Sequence, residues 1–235
     1  MCGRYTLTNP DPSALLDALA FDAFSETRIE LRPRYNVAPG QRSALVWPEG
    51  AAIVLGEAEW GFARPGGGLV INARAETAAE RPMFRDAFRQ GRCLVPADGF
   101  LEWRREGGIN QPHLFRREEG SLFVMAGLRK GDRYVVLTRD ASGEVAEIHD
   151  RMPVILSAEG ASTWLERGEL GDPPALRRTP VSTRINRADH DDPECLQELP
   201  QATLDSVSYT HLRAHETSDD ISYAVFCLKR GGGGG

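Results

Sequence analysis

Cys2 stands directly after Met1 and before Gly3 and Arg4. Removal of Met1 by an aminopeptidase, which the small neighbour permits, leaves an α-amine and a thiol on one residue. Such a 1,2-aminothiol condenses with an aldehyde: the amine forms a Schiff base and the thiol closes a five-membered thiazolidine ring. A terminal amine has a reference pKa of about 8 and a thiol of about 8.5, so modest tuning makes both nucleophilic near neutral pH. A cysteine at position 2 also occurs at buried or frayed termini with no chemistry to perform. Its role therefore depends on what the rest of the chain supplies.

Three places in the sequence hold groups that an aldehyde-trapping aminothiol needs. Asn72 and Arg74 end the run Leu69-Val70-Ile71 with period-2 spacing, so in a continued strand an amide and a guanidinium share one face. The alternative is a strand end with solvated polar residues. Glu102 lies between Leu101 and Trp103 in an alternating segment, where an apolar wall raises a carboxyl into the acid/base range; the pattern alone favours an ordinary outward-facing glutamate. His149, two residues before Arg151 at the entry of the apolar run from Met152 to Leu156, can move protons near neutral pH or simply cap a turn.

The elements that must position these groups follow from periodicity. Pro12 to Phe24 reads as a helix with Ser13 as cap and Leu15, Leu16, Leu19 and Phe21 as its apolar stripe. The Pro39-Gly40 turn leads into a strand from Ser43 to Trp47, followed by strands at 51–55 and 57–62 and a Gly-rich turn at 65–68. Met83 to Gln90 reads as a helix. Arg92 to Pro96 reads as a buried strand holding Cys93 as a core thiol, with further strands at 113–116, 122–126 and 133–138. Ala158 to Arg167 is an amphipathic helix with Trp164 and Leu165 inward, and Pro180 to Asn186 reads as the last strand. No βαβ rhythm appears. The expected class is α+β, a β-dominated single domain whose antiparallel or mixed sheets form a barrel-like core with flanking helices.

Composition narrows the setting. With 235 residues and 41% hydrophobic content the chain can bury a sizeable core. No run approaches the roughly 20 apolar residues of a membrane span, and the polar start lacks the apolar region of a secretory signal, so a cytoplasmic protein is expected. The four cysteines have no metal-ligand or disulfide-framework spacing, so neither a metal nor another cofactor is expected. The net charge of −6 argues mildly against broad nucleic-acid binding, but it does not set the sign of a cleft.

The far end stands apart. Val207 to Thr217 resembles the translation of a transposase-type sequencing adapter and Ile221 to Lys229 that of a flow-cell primer, with a glycine run after them. Residues 206–235 are accordingly set aside from the evolved domain, taken as 1–205. Of the histidines, His113, His149 and His190 then remain.

In order along the chain, MCGRY, RYNVAPG, INARAET, CLVPADGFLEW, HDRMPVIL and PVSTRIN resemble the SOS response-associated peptidase (SRAP) family. The resemblance extends to about Asn186 and implies an abasic-site processing protein that binds single-stranded DNA. It implies a covalent thiazolidine DNA–protein crosslink through Cys2, self-processing of the N-terminus, and in some members lyase activity. By position, Cys2 would be the nucleophile, Asn72 would hold the N-terminus and sugar hydroxyls, Glu102 would be the acid/base, and His149 would move protons. Arg4, Arg74 and Arg151 match phosphate-contacting positions, while Asn36, Pro39 and Trp60 fall where the family shapes its DNA channel. A monomer, associated with the bacterial nucleoid when on DNA, is implied. The segment from Arg187 to Glu198 departs from the family in being acidic. Two other readings remain: an N-terminal-nucleophile cysteine peptidase or amidohydrolase acting on proteins, and a noncatalytic DNA-binding module.

Overall fold

Residues 3–199 are described by a computed structural model. The chain opens with strand β1 (Arg4–Leu7) and helix α1 (Pro12–Leu19), then β2 (Glu26–Thr27), β3 (Arg34–Val37), β4 (Arg42–Glu49) and β5 (Ala52–Trp60). The short strands β6 (Phe62–Ala63), β7 (Leu69–Val70) and β8 (Asn72–Arg74) lead into α2 (Ala75–Ala78) and α3 (Arg85–Gln90). The long strands β9 (Arg92–Ala97), β10 (Gly99–Glu106), β11 (Ile109–Arg117), β12 (Phe123–Lys130) and β13 (Arg133–Asp140) follow. After them come α4 (Gly143–Ala146), β14 (Arg151–Pro153), β15 (Ile155–Leu156), α5 (Ala158–Arg167) and β16 (Leu176–Pro180).

Two sheets carry the fold. The smaller has the order β16-β11-β10-β1-β3. The larger runs β14-β13-β12-β9-β4-β5-β2, and a parallel pairing of Arg133 with Glu59 and Tyr134 with Trp60 joins β13 back to β5. The path β13-β12-β9-β4-β5 therefore returns on itself as a ring, the barrel-like core expected from the sequence. Closure removes the unpaired edges that an open sheet would present. Tyr5, Phe100 and Phe115 from the smaller sheet pack with Trp60, Tyr134 and Val136 from the ring in one buried cluster. Phe100 and Phe115 stack at 5.2 Å, and the Tyr5 and Tyr134 hydroxyls share a hydrogen bond of 2.6 Å across the layers.

Several local expectations hold. α5 spans the expected residues and buries Ala161, Trp164 and Leu165, with Ser157 capping the amide of Gly160. Cys93 is fully buried, and burial pushes its thiol pKa well up, which suits a core thiol rather than a nucleophile. Others are corrected. α1 is capped by Asp11, whose carboxylate accepts from the amide of Ser13, and it stops at Leu19 because Ala20 turns left-handed at φ 52°. The strand expected over Pro180 to Asn186 ends at Pro180; Ser182 caps a 3₁₀ turn at Thr183–Asn186 instead. The expected break between strands at 51–55 and 57–62 does not occur, because β5 continues through Gly56.

Gly56 is needed there for space. A Cβ on Gly56 would sit 2.4 Å from the Cη2 atom of Trp47, whose ring lies across the β4–β5 pair. Trp47 is itself buried, with Arg129 stacked 4.3 Å from its ring centroid. Replacing Gly56 with Val is expected to destabilise the protein by about 1–3 kcal/mol, the usual cost of forcing atoms into a packed interior. Urea or thermal unfolding of the purified variant measures it.

Candidate active site

The position of Glu102 is set by a turn at the far end of its hairpin. Gly107 and Gly108 join β10 to β11 with φ values of 54° and 85°, the positive pair that a two-residue type I′ turn requires. From that tip the register runs back through Arg105–Asn110, Arg104–Gln111 and Trp103–Pro112 to place Glu102 opposite His113. Alternation puts both side chains on the face that carries Phe100 and Phe115, toward the larger sheet. Glu102 is 2% exposed and His113 4%. Burial pushes the Glu102 carboxyl up to about 7, and the negative charge of Asp150 adds to the shift. The outward-facing glutamate that the pattern alone favoured is thus excluded.

The first strand meets this point. Arg4 pairs with Leu101, the residue before Glu102, so β1 begins beside the buried carboxyl. Cys2 itself lies outside the described residues.

Asn72 and His149 approach from the larger sheet through β13. β8 lies parallel to β13, with Asn72 at Val136 and Arg74 at Thr138, while β14 lies antiparallel, with Arg151 at Asp140. The Trp60 indole donates to the Ile71 carbonyl at 2.9 Å, as does the Val136 amide at 3.0 Å, and this fixes the residue before Asn72. Asn72 and Arg74 share a face, as their spacing predicts; Asn72 is partly buried and Arg74 exposed. His149 Nδ1 accepts the Arg151 amide at 2.9 Å, and burial lowers the pKa of its ring. In the neutral ring that bond puts the hydrogen on Nε2. Asp150 Oδ1 lies 2.8 Å from the same Nδ1, a contact that becomes favourable only when the ring is protonated. The negative charge of Asp150 also opposes ionisation of Glu102.

Other sequence-derived candidates are placed differently. Trp60 is 0% exposed and stacked on Tyr134, so it presents no surface to a strand of DNA. Arg151 is 6% exposed, and its guanidinium is occupied: bidentate to Glu76 at 2.9 and 2.8 Å, on the Thr138 carbonyl at 2.7 Å, and paired with Asp140. It ties α2 to β14 and thereby holds the strands that carry Asn72 and follow His149. Arg4 and Asn36 lie on the other face of the smaller sheet. Arg4 donates to Asn36 Oδ1 and the Ile185 carbonyl, both at 2.8 Å, beneath Trp103. Asn36 is fully buried and donates to the carbonyls of Ile185, Arg187 and His190. Both therefore hold the 183–192 segment. Pro39 and Arg74 remain exposed. The acidic stretch is also structural: Asp191 binds Arg34 and the amides of Tyr35 and Asn36, Asp192 binds Arg184, and Asp189 binds Arg187.

A cleft of about 400 Å³ between Thr8, Asn9, Asp98, Arg116 and Ser121 contains none of the candidate residues. Among the described residues no group of three His, Cys, Asp or Glu side chains is arranged to hold a metal ion.

The model for the family described as SOS response associated peptidase (SRAP) matches residues 1–188. The chain belongs to the SRAP family. It is 35% identical over 181 residues to the abasic site processing protein YoaM of Bacillus subtilis, covering 70% of this chain and 79% of that protein. It is 36% identical over 182 residues to YedK of Escherichia coli, also named an abasic site processing protein, covering 71% and 80%. A solved phage-related protein of Bordetella bronchiseptica superimposes with a TM-score of 0.64 at 29% identity, over 78% of this chain and 95% of that one. The SRAP motifs INARAET, CLVPADGFLEW and HDRMPVIL are the segments that carry Asn72, Glu102 and His149. His113 went unassigned in the sequence reading, although counting back from Gly107-Gly108 locates it.

A carboxyl raised by burial binds its proton more tightly in the folded than in the unfolded state. Its contribution favours folding below the unfolded pKa, near 4.5, and is lost as pH rises through about 7. Glu102→Gln removes this dependence. The variant is expected to gain stability over the parent by on the order of 3 kcal/mol more at pH 8 than at pH 5, read by denaturant titration at the two pH values.

Proposed function

We propose that this SRAP protein captures abasic sites in single-stranded DNA as a covalent crosslink through Cys2, exposed by removal of Met1. The ring-opened abasic sugar presents an aldehyde. The Cys2 amine adds to it, the carbinolamine loses water to give a Schiff base, and the thiol adds to the imine carbon to close a thiazolidine. One water leaves and no redox step is needed. Dehydration requires a proton on the departing hydroxyl, and later ring opening requires its return. Glu102, with a pKa near 7 beside the start of β1, is the group suited to both transfers. That carboxyl is the observation on which the proposal rests. His149 would move protons at the same cleft, and the partly buried amide of Asn72 would orient the amine and sugar hydroxyls. The names of YoaM and YedK as abasic site processing proteins support the substrate.

Incubation with single-stranded DNA carrying one abasic site is expected to yield a heat-stable shifted band, absent with intact DNA and with Cys2→Ala. Glu102→Gln is expected to slow its appearance by about 10²–10⁴-fold while leaving the dissociation constant for the same DNA unchanged. No covalent band from the parent protein, with cleavage of a peptide or amide instead, would support the hydrolase reading. Binding that survives Cys2→Ala and never becomes covalent would support a simple binding module.

Phosphate contact is assigned to Arg74, the exposed cation on the Asn72 face. Arg74→Ala is expected to weaken single-stranded DNA binding irrespective of sequence and to reduce the slope of log affinity against log salt by about 0.7, one phosphate's worth. Fluorescence anisotropy across a salt series measures both.

A further inference from the structure

We infer that the cleft of about 400 Å³ between α1 and the end of β11 binds a phosphate ester of nucleotide size, with Arg116 and Arg177 holding the phosphate. Arg116 and Arg177 lie on the face of the smaller sheet opposite Glu102, so the site is separate from the capture chemistry proposed above.

The register of β11 against β16 places Arg116 directly opposite Arg177. Their Cβ atoms are then about 5 Å apart, and like charges so placed repel. The next arginine along each strand has an acid of its own: Arg117 lies 2.7 Å from Glu119 and Arg178 2.9 Å from Glu147. Among the described residues, neither Arg116 nor Arg177 forms an ion pair. Arg177 is exposed, but Arg116 Nε is shut off from water and has no hydrogen-bond partner. A donor in that state costs free energy that an acceptor on a ligand restores.

Gly99 is what lets Arg116 lie this way. A Cβ on Gly99 would sit 3.2 Å from Arg116 Cγ and 2.9 Å from Thr6 Oγ1. The stem of Arg116 therefore passes over β10, and the side chain lines the cleft together with Asn9.

Two acids also line the cleft, and neither neutralises the arginines. Asp98 is committed to β1 and the turn after it, accepting from the hydroxyls of Thr6 and Thr8 and from the amides of Thr8 and Asn9. Asp17, on α1, is exposed and its charge is screened by water. Two planar guanidinium forks against one solvated carboxylate favour an oxyanion. The cleft is larger than a lone oxyanion fills, and Ala14, Ala18 and Leu122 give it an apolar wall, so the ligand carries a carbon body. A nucleoside phosphate meets both demands, free or as one unit of a DNA strand.

The test follows the arginine Nε–H resonances of isotope-labelled protein by NMR, at an ionic strength held constant with chloride. Thymidine monophosphate, inorganic phosphate and an undamaged oligothymidine are titrated in turn. The resonance missing from Arg116→Gln identifies Arg116. It is expected to shift with thymidine monophosphate at a dissociation constant on the order of 1 mM. Arg177→Ala is expected to weaken this binding about tenfold, and inorganic phosphate to bind about tenfold more weakly than the nucleotide. A shift with the nucleotide marks a site for the free ester; a shift with oligothymidine alone marks a site for the strand, and both uphold the inference. No shift with either overturns it. So does equal affinity for inorganic phosphate, or nucleotide binding unchanged in Arg177→Ala.

Should Arg116→Gln not fold, the exposed position carries the test. Thymidine monophosphate is expected to raise the Tm of the parent and to raise that of Arg177→Ala less at the same concentration. An equal rise in both proteins would overturn the inference.

Discussion

The hydrogen bond between the Tyr5 and Tyr134 hydroxyls is the point at which the two sheets are held in register. Tyr5 lies on the strand that starts the described chain, and Tyr134 lies where the ring of the larger sheet closes on Trp60. Trp60 stacks on Tyr134 and lies 5.2 Å from Tyr5, and its indole fixes the carbonyl just before Asn72. Three aromatic side chains therefore relate the beginning of β1 to the beginning of β8. An apolar interface alone is non-directional and would let the layers slide. The polar tips of the tyrosines and the indole give it a fixed offset, because a buried donor displaced from its acceptor loses more than the bond is worth.

Within that frame two buried ionisable groups are handled in opposite ways. Arg151 is surrounded by acceptors from α2, β13 and the end of its own ladder, so it stays charged and serves as a joint. Glu102 is buried, and that burial, with the negative charge of Asp150 adding to it, holds the carboxyl near 7, close to the balance between acid and base. The first arrangement adds rigidity. The second sacrifices stability at alkaline pH to keep a proton available, the pattern expected where a group has work to do. Both solutions are needed together, since an exchangeable proton is useful only beside strands that do not move.

How much of this could be read from the sequence depended on whether the information was local. The α5 stripe and the core character of Cys93 followed from periodicity, and the run of short strands without βαβ rhythm gave the fold class. Gly56 was misread because glycine usually interrupts a strand, whereas here it makes room for a tryptophan on the neighbouring one. Arg4 and Asn36 were assigned to DNA contact by the family resemblance, whereas strand alternation turns them to the face opposite Glu102, where they bond to each other and to Ile185. The resemblance made Arg151 a phosphate contact, and its partners Glu76 and Asp140, distant in sequence, could not be read from the motif. The net charge says little about any one surface, because the acids of 189–192 are paired with Arg34, Arg184 and Arg187.

The turn at Gly107 and Gly108 acts as a ruler. It lies at the solvent-exposed tip of the hairpin, well away from any reacting atom, yet its length decides which residue of β11 faces Glu102. Because side chains alternate, one residue added at the tip would turn His113 outward and bring an apolar neighbour in beside the carboxyl, unless a bulge absorbed the change. Loop tips are normally where length varies most freely. In this fold the length of that tip decides which side chain lies opposite the buried carboxyl.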